Sequence, residues 1–250
     1  MSKSTKILKT NISHTSLDKV AELLINEQSK KIAICNANTL VRSYQNPNIN
    51  AIIENFDLRT PDGYPVAKAL SFFNKQKFYR VDGYKVFLKT IELGLEKNTT
   101  HFFFGNSEEV NQLMIKNLKD LYPGIKIKGF ISPKYLNSKE LFLIYKNEIL
   151  LMESDIVWVS LGFPKQEEFI NLLTEDSKYI SNFVGVGAVF EWVAGTKFKA
   201  PEWVADRGLE WLFRLLQEPK RLFKRYLIDN SLFIFFLLKQ IFKNALDNNK

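Results

Sequence analysis

Short, continuous apolar runs recur along the chain up to residue 199, separated by longer stretches with helical spacing. KIAIC at 31–35, HFFFG at 101–105 and DIVWVSL at 155–161 have the unbroken apolar character of strands covered on both faces. Residues 126–131 and 182–186 read as two further strands. Helix signals follow these runs. Residues 38–44 open a helix after the first, and Asn106-x-x-Glu109 reads as a capping box for a helix reaching Leu121, ended by Pro123-Gly124. Gly162-Phe163-Pro164 breaks the third run, and Pro164 suits the first turn of a helix through Leu173. Residues 188–193 form another helix, stopped by Gly195. The alternation predicts an α/β fold with a largely parallel sheet flanked by helices. Ligands in such sheets sit beyond the carboxyl ends of the strands, so the loops at Asn36, Gly105, Gly162 and Gly187 should share one rim.

The pattern changes after Lys199. From Trp203 to Leu246 the chain is aromatic, leucine-rich and basic, which predicts a helix to Glu218, a break at Pro219 and one or two further helices. This divides the chain into an α/β catalytic domain, 1–199, and a C-terminal basic, aromatic helical appendage, 200–250. The longest apolar run there, residues 232–238, falls far below the ~20 residues that a spanning helix needs. Arg and Lys interleaved with Trp, Phe and Leu suit a helix lying at a membrane surface instead. The same apolar surface also fits packing on the core or a homo-oligomer interface.

Composition narrows the partners. The chain has 250 residues, 46% hydrophobic and 25% charged, which fits a folded globular protein. Thirty-five basic against 27 acidic residues give a net charge of +8, which favours an anionic partner such as a nucleotide, a phospholipid surface or a nucleic acid. No recognised nucleic-acid-binding motif accompanies the charge, so nucleic acid is not expected. Cys35 is the only cysteine, and no secretory leader pattern opens the chain; a reducing, cytosolic setting is expected. With two histidines and one cysteine, a zinc site of ordinary composition is not expected; carboxylate-bound magnesium stays open, although no Asp-x-Asp cluster occurs.

Several short segments can carry chemistry, and each also has an ordinary structural reading. Asp62 in Thr60-Pro61-Asp62-Gly63 is a turn residue by local chemistry; at a ligand rim the same turn would hold a carboxylate rigidly enough to act as a general base. Arg80, before Asp82-Gly83, is either an ion-paired arginine or a bidentate ligand for a diphosphate. Gln166, at the helix start after Gly162-x-Pro164, either caps locally or hydrogen-bonds a sugar or base. Gly185-x-Gly187 is a fragment of a phosphate-cradling loop without its third glycine. Arg214, Lys220, Arg221, Lys224 and Arg225 form the basic face of the appendage.

In order and spacing, these pieces resemble the WecG/TagA/CpsF family of bacterial glycosyltransferases. The resemblance runs from about Asn36 to Gln240. It is carried by Asn36-Ala37, Pro61-Asp62-Gly63, Arg80-Val81-x-Gly83, the turn at Gly105 and Gly162-x-Pro164-Lys165-Gln166-Glu167. Gly185-Val186-Gly187-Ala188, Ala194-Gly195, Ala200-Pro201, Gly208-Leu209-Glu210-Trp211-Leu212 and Gln217-Glu218-Pro219-x-Arg221 complete it. The resemblance implies inverting transfer of an N-acetylmannosamine-type sugar from a UDP donor to a polyprenyl-diphosphate-linked acceptor, in teichoic acid or cell-surface polysaccharide synthesis. It implies no metal cofactor and a peripheral position on the cytoplasmic face of the membrane. The catalytic base falls on Asp62. Asn36, Arg80 and Gln166 match active-site positions, with Gly187 and Glu191 as further substrate contacts. Arg214, Arg221 and Arg225 are expected to meet the acceptor diphosphate or lipid headgroups. Ile34 departs from members that carry threonine there. A UDP-sugar hydrolase or epimerase, or a membrane-binding module without catalysis, are the competing classes.

Overall fold

The computed structural model describes residues 3–175 and 179–247, apart from the side chains at 221, 224 and 225. A short antiparallel hairpin comes first, β1 (Ser4–Ile7) and β2 (Thr10–Ser13). Then follow α1 (Leu17–Asn26), β3 (Lys31–Cys35), α2 (Ala37–Gln45), α3 (Pro47–Glu54), β4 (Leu58–Pro61), α4 (Tyr64–Asn74), α5 (Gly83–Gly94) and β5 (Thr100–Gly105). The second half adds α6 (Glu108–Leu121), β6 (Lys126–Ile131), α7 (Ser138–Leu151), β7 (Ile156–Ser160), α8 (Lys165–Glu175), β8 (Asn182–Gly185) and α9 (Val189–Ala194). Three helices close the chain: α10 (Glu202–Asp206), α11 (Glu210–Gln217) and α12 (Pro219–Asp247).

Six strands form one sheet in the order β4-β3-β8-β7-β5-β6, and every neighbouring pair is parallel. The expected α/β architecture is therefore present. Its faces can be read from alternate residues of one strand: Phe102 and Phe104 enter one core while Phe103 enters the other. On the first face Phe104 stacks on Phe169 of α8 at 4.6 Å, and on the second Trp158 meets Phe87 of α5 edge-on at 4.8 Å. The register is level at the carboxyl ends. Cys35 pairs with Pro61, and Gly105 with Ser160, so the loops that follow leave the sheet at the same height.

Several local expectations change. Ser107, not Asn106, caps α6, its Oγ accepting from the Val110 N–H. Asn106 takes φ +62°, a left-handed conformation that Asn tolerates well, and thereby delays the helix by one residue. A reciprocal capping box belongs instead to α7, between Asn137 and Glu140. The helix expected to run to Glu218 is divided by Gly208, whose φ of +76° is left-handed, into α10 and α11. Beyond it α12 is a single helix, opened by Pro219, whose missing N–H costs nothing in a first turn.

The C-terminal helices are docked on the α/β body. Phe233 of α12 is fully buried in the first core, and the Phe236 ring lies 4.4 Å from Tyr44 of α2. Asn38 donates to Asp229, and the Gln240 amide joins Leu8 and Lys6 of the hairpin. Among the described residues, no helix is long and apolar enough to cross a membrane.

His101 gives the fold a pH dependence. It is buried in the sheet, its Nδ1 accepts from Trp158 Nε1 at 3.2 Å, and burial pushes its pKa down to about 4. The folded chain therefore holds this ring neutral where the unfolded chain would protonate it. Stability conferred at neutral pH should fall by on the order of 3 kcal/mol as pH drops from about 6.5 to 4. Urea unfolding of wild type and His101→Gln across that window is the check: the pH slope should be shallower in the variant.

Candidate active site

The rim begins with a strand–helix turn. Pro61 ends β4, and the Asp62 N–H donates to the carbonyls of Cys35 and Thr60, both at 3.0 Å. Gly63 then turns the chain with φ +77° into α4, where Pro65 fits the first turn. The turn and site readings of Asp62 thus coincide: backbone hydrogen bonds fix the turn, and the turn presents the carboxylate. Asn36, after β3, caps α2 through Oδ1 and extends its Nδ2 to Asp62 Oδ2 at 3.5 Å.

Two cavities meet at this carboxylate. A larger one, about 350 Å3, runs under the loops after β5, β7 and β8 and is walled by Asn106, Ser160, Gly162, Gly187, Glu191 and Trp192, among others. A smaller one, about 100 Å3, opens between α2, α4 and the C-terminal helices, beside Tyr64, Gly208, Trp211 and Tyr226. Asn36, Asp62, Glu210 and Arg214 line both. Of the loops expected at one rim, those after β3, β5, β7 and β8 all reach the larger cavity, and Asp62 joins them from β4.

Arg80 is not turned toward either cavity. Its side chain is 8% exposed and sits among four carboxylates: Glu202 at 2.8 Å, Glu210 at 2.9 Å, Asp206 at 3.6 Å and Asp82 at 3.7 Å. Burial disfavours its charge, but Asp82, Glu210 and Glu202 more than compensate, and its pKa is raised. Of the two readings open for Arg80, an ion-paired arginine or a diphosphate ligand, the geometry has the ion-paired one. Three of these partners lie more than 120 residues away in sequence, beyond the reach of local pattern. Burial opposes ionisation of Glu202 too, yet hydrogen bonds from Lys85 and Lys199 bring its pKa down to about 2.

Gln166 is likewise engaged within the protein. Its Oε1 accepts from the N–H groups of Gly162 at 3.2 Å and Gly187 at 3.1 Å, and its Nε2 donates to Glu167. Gly185 makes room for this brace, because a Cβ there would lie 2.7 Å from Nε2. In place of an amide offered to a sugar, the structure shows a strut between the loops after β7 and β8. The Gly187 carbonyl is also taken, accepting from Ser160 Oγ at 2.7 Å, so this glycine shapes the wall instead of presenting a free cradle. Glu191 lines the larger cavity while paired with Lys197 at 2.7 Å.

Among the described residues, the positive charge facing the cavities comes from Arg214. Its guanidinium lies 5.2 Å from the Trp192 ring centroid, and no carboxylate pairs with it among the described residues. Arg221 and Arg225 lie along α12, but their side chains fall outside the described residues. Among the described residues, no group of three His, Cys, Asp or Glu side chains has metal-binding geometry.

Asp62 is held at an intermediate acidity. Its carboxylate remains partly accessible from the cavities, but the protein crowded around it raises its pKa to about 7, with Glu210 and Asp82 adding repulsion. The Asn36 hydrogen bond and the Arg80 charge pull in the opposite direction. Glu210 is the residue that sequence reasoning missed. It belongs to the segment Gly208-Leu209-Glu210-Trp211-Leu212, but nothing local places it beside Asp62.

A family model described as the glycosyl transferase WecG/TagA/CpsF family matches residues 5–246, and the protein is accordingly a glycosyltransferase. The chain belongs to the WecG/TagA/CpsF family. A relative from Bacillus spizizenii is 30% identical over 202 residues, 78% of this chain and 75% of that protein. One from Bacillus subtilis is 32% identical over 64% of this chain and 61% of its own length, and one from Staphylococcus aureus is 25% identical over 82% and 80%. All three are named N-acetylglucosaminyldiphosphoundecaprenol N-acetyl-beta-D-mannosaminyltransferase.

Removing the Glu210 charge should make Asp62 easier to ionise, both directly and by leaving Arg80 less neutralised. Glu210→Gln is therefore expected to move the acid limb of the transfer pH profile to lower pH. Glu202→Gln, which pairs with the same arginine but adds no repulsion of its own at Asp62, should move it less. Equal displacement by both variants would refer the effect to helix docking instead of charge.

Proposed function

We propose that this chain transfers an N-acetylmannosamine-type sugar, with inversion, from a UDP donor to an N-acetylglucosaminyl-diphospho-polyprenol. The relatives' names support the acceptor and the sugar, and family membership supports the reaction class. The observation that carries the reading is the position of Asp62, at the junction of two cavities with a pKa near neutrality. One cavity suits the nucleotide-sugar and the other the acceptor, with the carboxylate between their reacting ends.

In this mechanism Asp62 accepts the proton of the acceptor hydroxyl as its oxygen bonds to the anomeric carbon. The bond from that carbon to the UDP oxygen breaks in the same displacement, and UDP leaves with the electron pair. A base that titrates near the working pH combines a useful ionised fraction with real proton affinity. Arg214 stabilises the charge growing on the departing diphosphate, and no divalent metal is needed for that role in this reading. Gln166, Gly185 and Gly187 keep the donor-side wall in shape, and Asn36 orients the Asp62 carboxylate.

The C-terminal helices complete the proposal as a membrane-associating appendage on the cytoplasmic face. Ile234, Phe235, Leu238 and Phe242 of α12 are all exposed while Phe233 is buried, so this helix has an apolar outer surface as well as an inner one. Arg221 and Arg225 are proposed to meet the acceptor diphosphate or anionic headgroups.

Asp62→Asn should lower transfer by about 10²–10⁴-fold, the usual worth of a positioned base, while UDP-sugar binding measured by calorimetry persists. Turnover near that of wild type would remove Asp62 from this role.

A further inference from the structure

A groove of about 720 Å3 runs along the outer side of α4, between that helix, the loop after it and α10. Its floor follows from helical spacing. Tyr64, Lys68, Phe72 and Lys75 fall at i, i+4, i+8 and i+11, on one face, while Val66, Ala69 and Leu70 point into the core. The outward stripe thus alternates aromatic and cation. Phe72 and Tyr79 are 61% and 69% exposed, although neither is needed to close the core. Lys68 lies over the Tyr64 ring and Lys77 over Tyr79, so the ammonium groups border the aromatic surface instead of covering it with carboxylates.

The groove adjoins the active site on one side only. Tyr64 lines both the groove and the smaller cavity at Asp62, whereas among the described residues none lines both the groove and the larger cavity. The partition is one side chain thick: Tyr64 packs on Gly208, where a Cβ would come within 3.1 Å of the ring. The lining charge is also one-sided. Lys68, Lys75 and Lys77 line the groove without a carboxylate pair among the described residues, whereas Lys85 and Arg80 are paired with Glu202 and Asp206. A ligand suited to this path is anionic where it leaves Asp62 and apolar further out.

We propose that the groove on α4 holds the isoprenoid chain of the lipid acceptor, which enters past Tyr64 and lies over Phe72 and Tyr79. This rests on the reading of a lipid-linked acceptor. With the acceptor sugar at Asp62, the diphosphate passes Tyr64 toward Lys68, and the isoprene units beyond a geranyl length meet Phe72, about 12 Å along α4 from Tyr64, and Tyr79. The aromatic faces take up methyl-bearing, unsaturated hydrocarbon that would otherwise stay in water or micelle. The larger cavity, on the other side of Asp62, is left to the nucleotide.

The test compares two N-acetylglucosaminyl-diphospho-lipids in detergent micelles, one of geranyl length and one of undecaprenyl length, using the full chain and the double variant Phe72→Ser, Tyr79→Ser. Both positions are exposed, and an unchanged thermal midpoint checks folding. The variant should raise KM for the long acceptor relative to the short one by about tenfold, in keeping with two aromatic rings removed from the hydrocarbon path. An equal rise for both acceptors, or none for either, overturns the proposal. So does loss of binding to acceptor-free phospholipid vesicles with the KM ratio unmoved, which would make the groove a membrane contact. A wild-type protein that transfers sugar to neither acceptor would instead overturn the lipid-acceptor reading itself.

Discussion

One buried guanidinium ties the C-terminal helices to the catalytic rim. Arg80 lies in the loop between α4 and α5, beside Val81, whose N–H donates to the Pro61 carbonyl next to Asp62, and a buried charge in that position must be paired to be tolerated. Glu202, Asp206 and Glu210, four residues apart on α10 and at the start of α11, converge on it, with Asp82 behind. This contact closes the smaller cavity, brings Arg214 over Trp192 and sets Glu210 beside Asp62. The appendage therefore furnishes part of the active-site wall and part of its field. Any movement of those helices would change the acidity of Asp62 as well as the shape of the acceptor side.

The two sides of Asp62 are built differently. Toward β7 and β8 the wall is backbone, held by the Gln166 strut and by glycines at which side chains would collide or strain. Toward α4 and α12 the wall is aromatic, with Tyr64, Trp211 and Tyr226 around Arg214, and beyond Tyr64 come the lysines of the α4 groove. A rigid polar pocket suits a soluble, highly charged nucleotide, and an aromatic, basic path suits an amphiphile. The carboxylate between them balances burial and two carboxylate neighbours against Asn36 and Arg80, which leaves it near neutrality.

The sheet is legible in the sequence because both its faces are covered: KIAIC, HFFFG and DIVWVSL stay apolar without alternation, and their glycine-marked ends locate the rim. β4 is hidden, since LRTP carries an arginine whose guanidinium is consumed by the carbonyls of Asn11, Glu54 and Phe56. Asn106-x-x-Glu109 has the composition of a capping box without forming one, because a left-handed asparagine and a helix cap look alike in sequence; the true box, at α7, passes unnoticed. Within the site, Asp62, Asn36 and Arg214 line both cavities. Arg80 and Gln166 each carry two readings in the sequence, a protein contact or a ligand contact, and in the structure both are held by protein partners. The choice depends on contacts with Glu210 and Gly187, which no local spacing encodes. Glu210 itself is invisible for the same reason.

Asp62 is a carboxylic acid tuned by its surroundings to ionise near neutrality. Carbon-13 NMR of protein labelled at the aspartate side-chain carboxyl, with the Asp62 signal assigned by its absence in Asp62→Asn, measures this directly. A titration midpoint of about 7 is expected for that signal in the unliganded protein. A midpoint of about 4, the ordinary value for an exposed aspartate, would contradict it.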